Sequence, residues 1–209
     1  MMKNNYVKPI KFDSSKTNIW FTSDTHFYHK NIIKYCYRPF NSVEEMNQSL
    51  INNWNNVVKE NDVVFHLGDF AFDKWKSIIK QLNGKIYLIV GNHDEIKYPG
   101  HKIFDLFEGV FNQLYIQIDD QWIYLNHYPF LCYGGSYNNN PVWTLSGHTH
   151  ICKIRNTGKD FERMNYLFPT QYDVGVDFND YTPISFKEVK EKIEFQIANN
   201  VNLMYWVKS

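Results

Sequence analysis

Five short clusters of metal-ligand type recur along this chain: Asp24-Thr-His26, Gly68-Asp69, Gly91-Asn-His-Asp94, Asn126-His127 and Gly147-His-Thr-His150. Each is common by itself, and a lone histidine or Gly-Asp pair serves more often as a solvated or core group than as a ligand. Five of them, each at the predicted end of a strand, make a co-located ligand set. Neutral imidazoles, carboxylates and an amide oxygen suit divalent transition ions such as Mn, Fe, Zn or Ni, and a set without thiolates gives no support to structural zinc. The ligands suffice for two ions. A carboxylate can bridge two cations about 3.5–4 Å apart, and such a pair deprotonates a shared water and clamps the oxygens of a phosphoryl group in in-line displacement.

The elements that must position these clusters follow from periodicity. Residues 18–23 form a β-rich run ending at Asp24 and His26, residues 62–67 an apolar strand entering Gly68-Asp69, and residues 85–90 another entering Gly91. Between them, Ser42-Val-Glu-Glu45 reads as a capping box, and Val43, Met46, Leu50, Trp54 and Val57/Val58 recur at helical spacing. Trp75, Ile78, Ile79 and Leu82 mark a second helix stopping near Asn83-Gly84. Strand, helix and strand in alternation predict a parallel sheet whose ligands lie beyond the strands' C-terminal ends. The second half reads as a hairpin (113–118, turn Asp119-Asp120, 121–125) entering Asn126-His127, then a strand at 141–146 entering Gly147. Residues 172–177 are a further strand, and Pro183 with the box Ser185-Phe-Lys-Glu188 opens a last helix to about Asn199. Residues 128–140 form a loop beside the ligands, a natural wall or lid.

The ordered motifs resemble the calcineurin-like metallophosphoesterase superfamily over roughly residues 18 to 180. The opening Ser23-Asp-Thr-His-Phe-Tyr-His-Lys-Asn-Ile-Ile33, followed by Arg38-Pro-Phe40, resembles its small single-domain bacterial and phage branch. The resemblance implies a four-layer α-β-β-α sandwich, an α/β fold with a dinuclear site at the strand ends, over one domain spanning 1–209. It implies that Asp24, His26 and His150 hold one ion, that Asn92, His127 and His148 hold the other, and that Asp69 bridges them. It further implies that a metal-bridging hydroxide attacks phosphorus and that His93 protonates the leaving oxygen, with Asp94 orienting the His93 imidazole. Asn126 stands where many members carry Gly. The cofactors expected are two divalent transition ions, Mn²⁺ first, with Fe, Zn or Ni as alternatives. A non-catalytic metal-binding scaffold of the same fold is the competing reading, disfavoured because the ligand set is complete.

Other residues are weighed singly. His29 and Arg38 follow the first ligands and are candidates for contact with a phosphate ester, against a surface pair. His66, on an apolar strand, is read as a satisfied core histidine, and His101 as solvated. The aromatic residues between Tyr128 and Tyr137 are read as packing before nucleobase stacking. Cys36, Cys132 and Cys152, with no CxxC, read as reduced thiols, Cys152 in a packing role beside His148 and His150.

Composition bounds the rest. The 209 residues carry 22 Lys+Arg against 22 Asp+Glu, with 44% hydrophobic and 18% aromatic residues. That suits one globular domain with a sizeable core, and the balanced charge disfavours non-specific nucleic-acid binding. A small phosphorylated substrate, with nucleotides among the candidates, is expected instead. The first residues lack the apolar core of a signal peptide and no apolar run reaches roughly 18 residues, so the chain is read as cytoplasmic and without a membrane partner. The zero net charge describes the metal-free chain, since two divalent ions add about +4 against the ligand carboxylates Asp24 and Asp69.

Overall fold

The computed structural model describes residues 8–97, 105–151 and 159–208; His101 and Cys152 lie outside them. Two five-stranded sheets face each other. The first runs β10 (Ile184–Ser185), β2 (Ile19–Thr22), β3 (Val63–His66), β4 (Lys85–Ile89), β5 (Gly109–Phe111), and all its pairs are parallel except β10–β2. The second runs β1 (Ile10–Phe12), β6 (Gln113–Ile118), β7 (Gln121–Asn126), β8 (Trp143–Ser146), β9 (Gln171–Asp173), antiparallel only at the expected β6–β7 hairpin.

Strand alternation divides the core. Phe21, Val63 and Phe65 of the first sheet meet Leu114, Ile116, Ile123 and Leu145 of the second, and α6 (Phe186–Asn199) adds Val189 and Ile193 to that cluster. The opposite faces of β3 and β4, through Val64, Ile86 and Leu88, bury the apolar stripes of α2 (Val43–Val57) and α3 (Trp75–Ile79), including Met46, Leu50, Trp54, Trp75 and Ile78. A smaller cluster joins Ile151 and Met164 of α5 (Lys159–Met164) to Met204 and Val207 of α7 (Met204–Lys208). No helix among the described residues is long and apolar enough to cross a membrane.

Several elements depart from expectation. At the start of α2, Ser42 accepts from the Glu45 amide, but the Glu45 carboxylate accepts from Asn41 instead of closing the capping box, whereas the Ser185–Glu188 box of α6 is complete. Helix α3 ends at Ile79, earlier than its apolar spacing predicts, because the chain tightens into i to i+3 turns at Gln81 and Leu82. Strand β9 stops at Asp173, since the chain then crosses to the first sheet, where Gly175 bridges Ser23. Helices α1 (Lys30–Tyr35) and α4 (Asn92–Lys97), with strands β1, β5 and β10, carry no signal strong enough to read beforehand.

Candidate metal centre

Strands β2, β3, β4, β7, β8 and β9 end at one edge of the sandwich, and backbone bonds tie those ends together. Asp24 N–H donates to the Gly68 carbonyl at 2.9 Å, His26 N–H to the Asp69 carbonyl at 3.0 Å, Gly147 N–H to the His127 carbonyl at 3.0 Å, and Val176 N–H to the Ser23 carbonyl at 3.0 Å. Five side-chain-bearing residues there adopt the left-handed region: Asp24, His26, Asp69, His148 and His150, with φ between 47° and 69°. Such residues are uncommon outside glycine and cost about 1–3 kcal/mol each. Their coincidence turns side chains inward from loops that would otherwise carry them past the edge.

Asp24 and Asp69 are each fixed by one carboxylate oxygen and present the other. Asp24 Oδ2 accepts from the His148 amide at 2.9 Å, leaving Oδ1 buried, without a hydrogen-bond partner, 3.6 Å from His150 Nε2. Asp69 Oδ1 accepts from the His93 amide at 2.9 Å, and its Oδ2 lies 3.4 Å from His26 Nε2, 3.6 Å from His127 Nε2 and 4.0 Å from His93 Nε2. His127 Nδ1–H donates to the Leu67 carbonyl at 2.7 Å, so its Nε2 presents a lone pair, 3.0 Å from Asn92 Oδ1. His150 Nδ1 donates to Asp177 Oδ2 at 2.7 Å, and its Nε2 lies 3.2 Å from His26 Nε2. Atoms of Asp24, His26, Asp69 and His150 thus fall within one ion's reach, 4.8 Å of one another. Asn92 and His127 meet beside them, and the His148 ring lies 5.0 Å from that of His127.

Charge tests whether cations fit. Asp24, Asp69, Asp94, Asp173 and Asp177 are buried at this edge, and among the described residues the Arg38 guanidinium is the one Lys or Arg charge buried with them. Carboxylates thus outnumber buried Lys and Arg five to one at this edge, an excess that divalent cations can offset. Burial pushes the Asp94 and Asp173 carboxyls up to about 7, and the Asp69 carboxyl up as well. Burial, with help from His150, holds His26 well below the usual imidazole range. In His150 burial works in the same direction, yet the Asp24 carboxylate and the hydrogen bond to Asp177 carry it well above. In the chain alone a proton on His150 stands where the convergent lone pairs would hold a metal, so the residues fit divalent cations.

Two expectations are corrected. Asp94 does not orient His93: its carboxylate accepts the backbone N–H groups of Asp69 at 2.8 Å, Phe70 at 2.9 Å and Gly91 at 2.9 Å, welding the β3 and β4 ends together. Arg38 is not placed for substrate. It is 4% exposed, and its five N–H groups go to both Asp177 oxygens, the Asp24 and Thr25 carbonyls and the Met46 sulfur. His29 does stand by the site, stacked on Phe72 at 3.8 Å with its ring 6.3 Å from that of His93. In the 128–140 loop, Tyr128 reaches the site, 4.6 Å ring to ring from His148, and Tyr133 packs with Thr170. Asp173, which accepts from Thr149 Oγ1 at 2.7 Å and from the Gly175 amide at 2.7 Å, and Asp177 went unread as site residues. Their signal was two acids flanking Val-Gly-Val in a run otherwise patterned as a buried strand.

Comparison with known proteins gives the family. Residues 17–166 match the family model described as calcineurin-like phosphoesterase, and the chain belongs to that family. It is 43% identical over 194 residues to an uncharacterized protein of Methanocaldococcus jannaschii, covering 86% of this chain and 93% of the relative. It is 27% identical to the gene 66 protein of Mycobacterium phage L5, covering 77% of this chain and 87% of that protein. Among solved structures, a protein of unknown function from Aquifex aeolicus superposes with a TM-score of 0.64 at 26% identity, over 84% of this chain and 98% of that one.

Proposed function

We propose that this chain hydrolyses phosphate esters with two divalent ions, Mn²⁺ foremost. Asp24, His26 and His150 hold one, Asn92, His127 and His148 the other, and both share Asp69. The observation that carries this reading is the single oxygen Asp69 Oδ2, within 3.6 Å of imidazole nitrogens from both halves, His26 and His127. Bound there, the ions acidify water and neutralise phosphoryl oxygens.

The chain's own residues do the rest. His93, second residue of α4, has its side chain 41% exposed, its amide pinned on Asp69 and its Nε2 4.0 Å from Asp69 Oδ2. It donates the proton that the leaving alkoxide needs, a step worth about 10²- to 10⁴-fold. His29, braced on Phe72, contacts a phosphoryl oxygen from the other wall, and Tyr128 lines the wall beside His148. These aromatic walls support a small ester, a nucleotide among them.

The test is metal content together with turnover of para-nitrophenyl phosphate and of its bis ester in Mn²⁺, Ni²⁺ and Zn²⁺. His93→Ala should keep both ions and lose about 10²- to 10⁴-fold in kcat, whereas Asp69→Asn should lose metal. A wild-type chain fully loaded with metal that turns over neither ester would overturn the reading in favour of a non-catalytic scaffold.

A further inference from the structure

We propose that Arg38 and Asp177 form a positioning clasp for one half of the metal centre and act on it without touching substrate. The proposal rests on the two-ion reading above and adds an asymmetry between the ions. Asp177 Oδ2 accepts from both Arg38 Nη2 at 2.8 Å and His150 Nδ1 at 2.7 Å, and Oδ1 accepts from Arg38 Nε at 2.8 Å. The same guanidinium reaches back to the first ligand cluster, donating to the Asp24 carbonyl at 2.7 Å and the Thr25 carbonyl at 3.0 Å. One buried ion pair therefore grips two ligands of one ion, Asp24 by its main chain and His150 by its ring, which come from different sheets.

The other half is built differently. His127 is backed by the neutral Leu67 carbonyl, and no charge stands behind its Nδ1–H in that bond. A carboxylate behind an imidazole fixes which nitrogen carries the proton and makes the opposite nitrogen a stronger donor to a metal. A buried ion pair is by itself weak evidence for stability. Here four of the five N–H groups of the fork go to Asp177 and to the Asp24 and Thr25 carbonyls, which is what a positioning device requires, and the fifth goes to the Met46 sulfur. Lysine could keep the charge but not grip two carboxylate oxygens and two carbonyls at once.

The experiment uses the full chain, stripped by chelation and titrated calorimetrically with Zn²⁺ or Mn²⁺. Wild type should bind two ions. Asp177→Asn should weaken one ion by about 10–100-fold and leave the other at its wild-type affinity. Arg38→Lys, which keeps the charge pair and guards against a variant that fails to fold, should weaken the same ion in the same direction. A second readout is the His150 Nδ1–H proton in the zinc-loaded protein, assigned by its loss in His150→Gln. Donation to a carboxylate places it far downfield, and Asp177→Asn should move it upfield. Wild-type affinity for both ions in the two variants would overturn the clasp alone. Equal weakening of both ions together with a lowered melting temperature would also overturn it, since the pair would then be merely structural. A wild-type chain that binds no ion would overturn the site and the clasp together.

Discussion

His66 is a site neighbour whose charge state is dictated by its partners. Its Nδ1 accepts from the Gly68 amide at 3.2 Å and its Nε2 lies 2.9 Å from Thr25 Oγ1, which itself donates to the Phe70 carbonyl at 2.8 Å. An imidazolium would set Nδ1–H against an amide N–H, and burial pushes the group down to about 3. The folded pKa therefore lies below the unfolded one. His66 contributes stability in full above about pH 6.5, and that stability is lost as pH falls from there toward 3. In chelator, wild type should lose about 2 kcal/mol more than His66→Gln between pH 7 and pH 5, read from urea midpoints at the two pH values. Identical losses would mean that His66 is protonated without cost. The apolar strand around His66 disclosed its buried role in the sequence. The true partners of Asp94 and Arg38 were hidden, because a motif names a side chain and is silent on which backbone amides and carbonyls the fold brings to it.

The strand ends were legible for a physical reason: parallel strands share a direction, so polar clusters that each follow an apolar run converge without any knowledge of packing. Short elements were not, since three-residue strands such as β1 and β5 carry too few alternations to stand out, and α4 begins on Asn92, inside one of the polar clusters. The glycines in those clusters are part of the same geometry. A Cβ on Gly147, just beyond β8, would run into Asp24 Oδ2 and Ser23 Oγ. Gly147→Ala should push the Asp24 carboxylate off the His148 amide, lowering metal affinity at least about tenfold and stability by about 1–3 kcal/mol. Gly134→Ala, where a Cβ meets nothing within 4 Å, should change stability by no more than about 0.5 kcal/mol and leave metal binding intact. Metal titration and urea unfolding of the two variants decide this, and equal behaviour would show that the turn after β8 has slack.

At the scale of the whole molecule, a formal charge of zero conceals a strong separation of charge. The sequence pointed to two ligand carboxylates, Asp24 and Asp69; the fold buries five at one edge and matches them with Arg38. Concentrated there, the excess opposes folding until cations or protons offset it; burial first, and then the neighbouring Asp69 and Asp24, raises the Asp94 and Asp173 carboxyls to about 7. Ions that bind the folded state alone stabilise it by mass action, about 2.7 kcal/mol per site at free metal 100-fold above Kd. Two such sites in a chain of this size correspond to a rise in melting temperature of about 10–20 °C. Thermal unfolding in excess chelator, then with stepwise Mn²⁺, should show the melting temperature climbing with metal concentration past the point where the first site fills. The same titration in Asp69→Asn, which removes the shared carboxylate, should climb much less. A melting temperature indifferent to chelator would mean that the buried carboxylates are neutralised by protons alone, and that the charge imbalance at this edge is not built for metal.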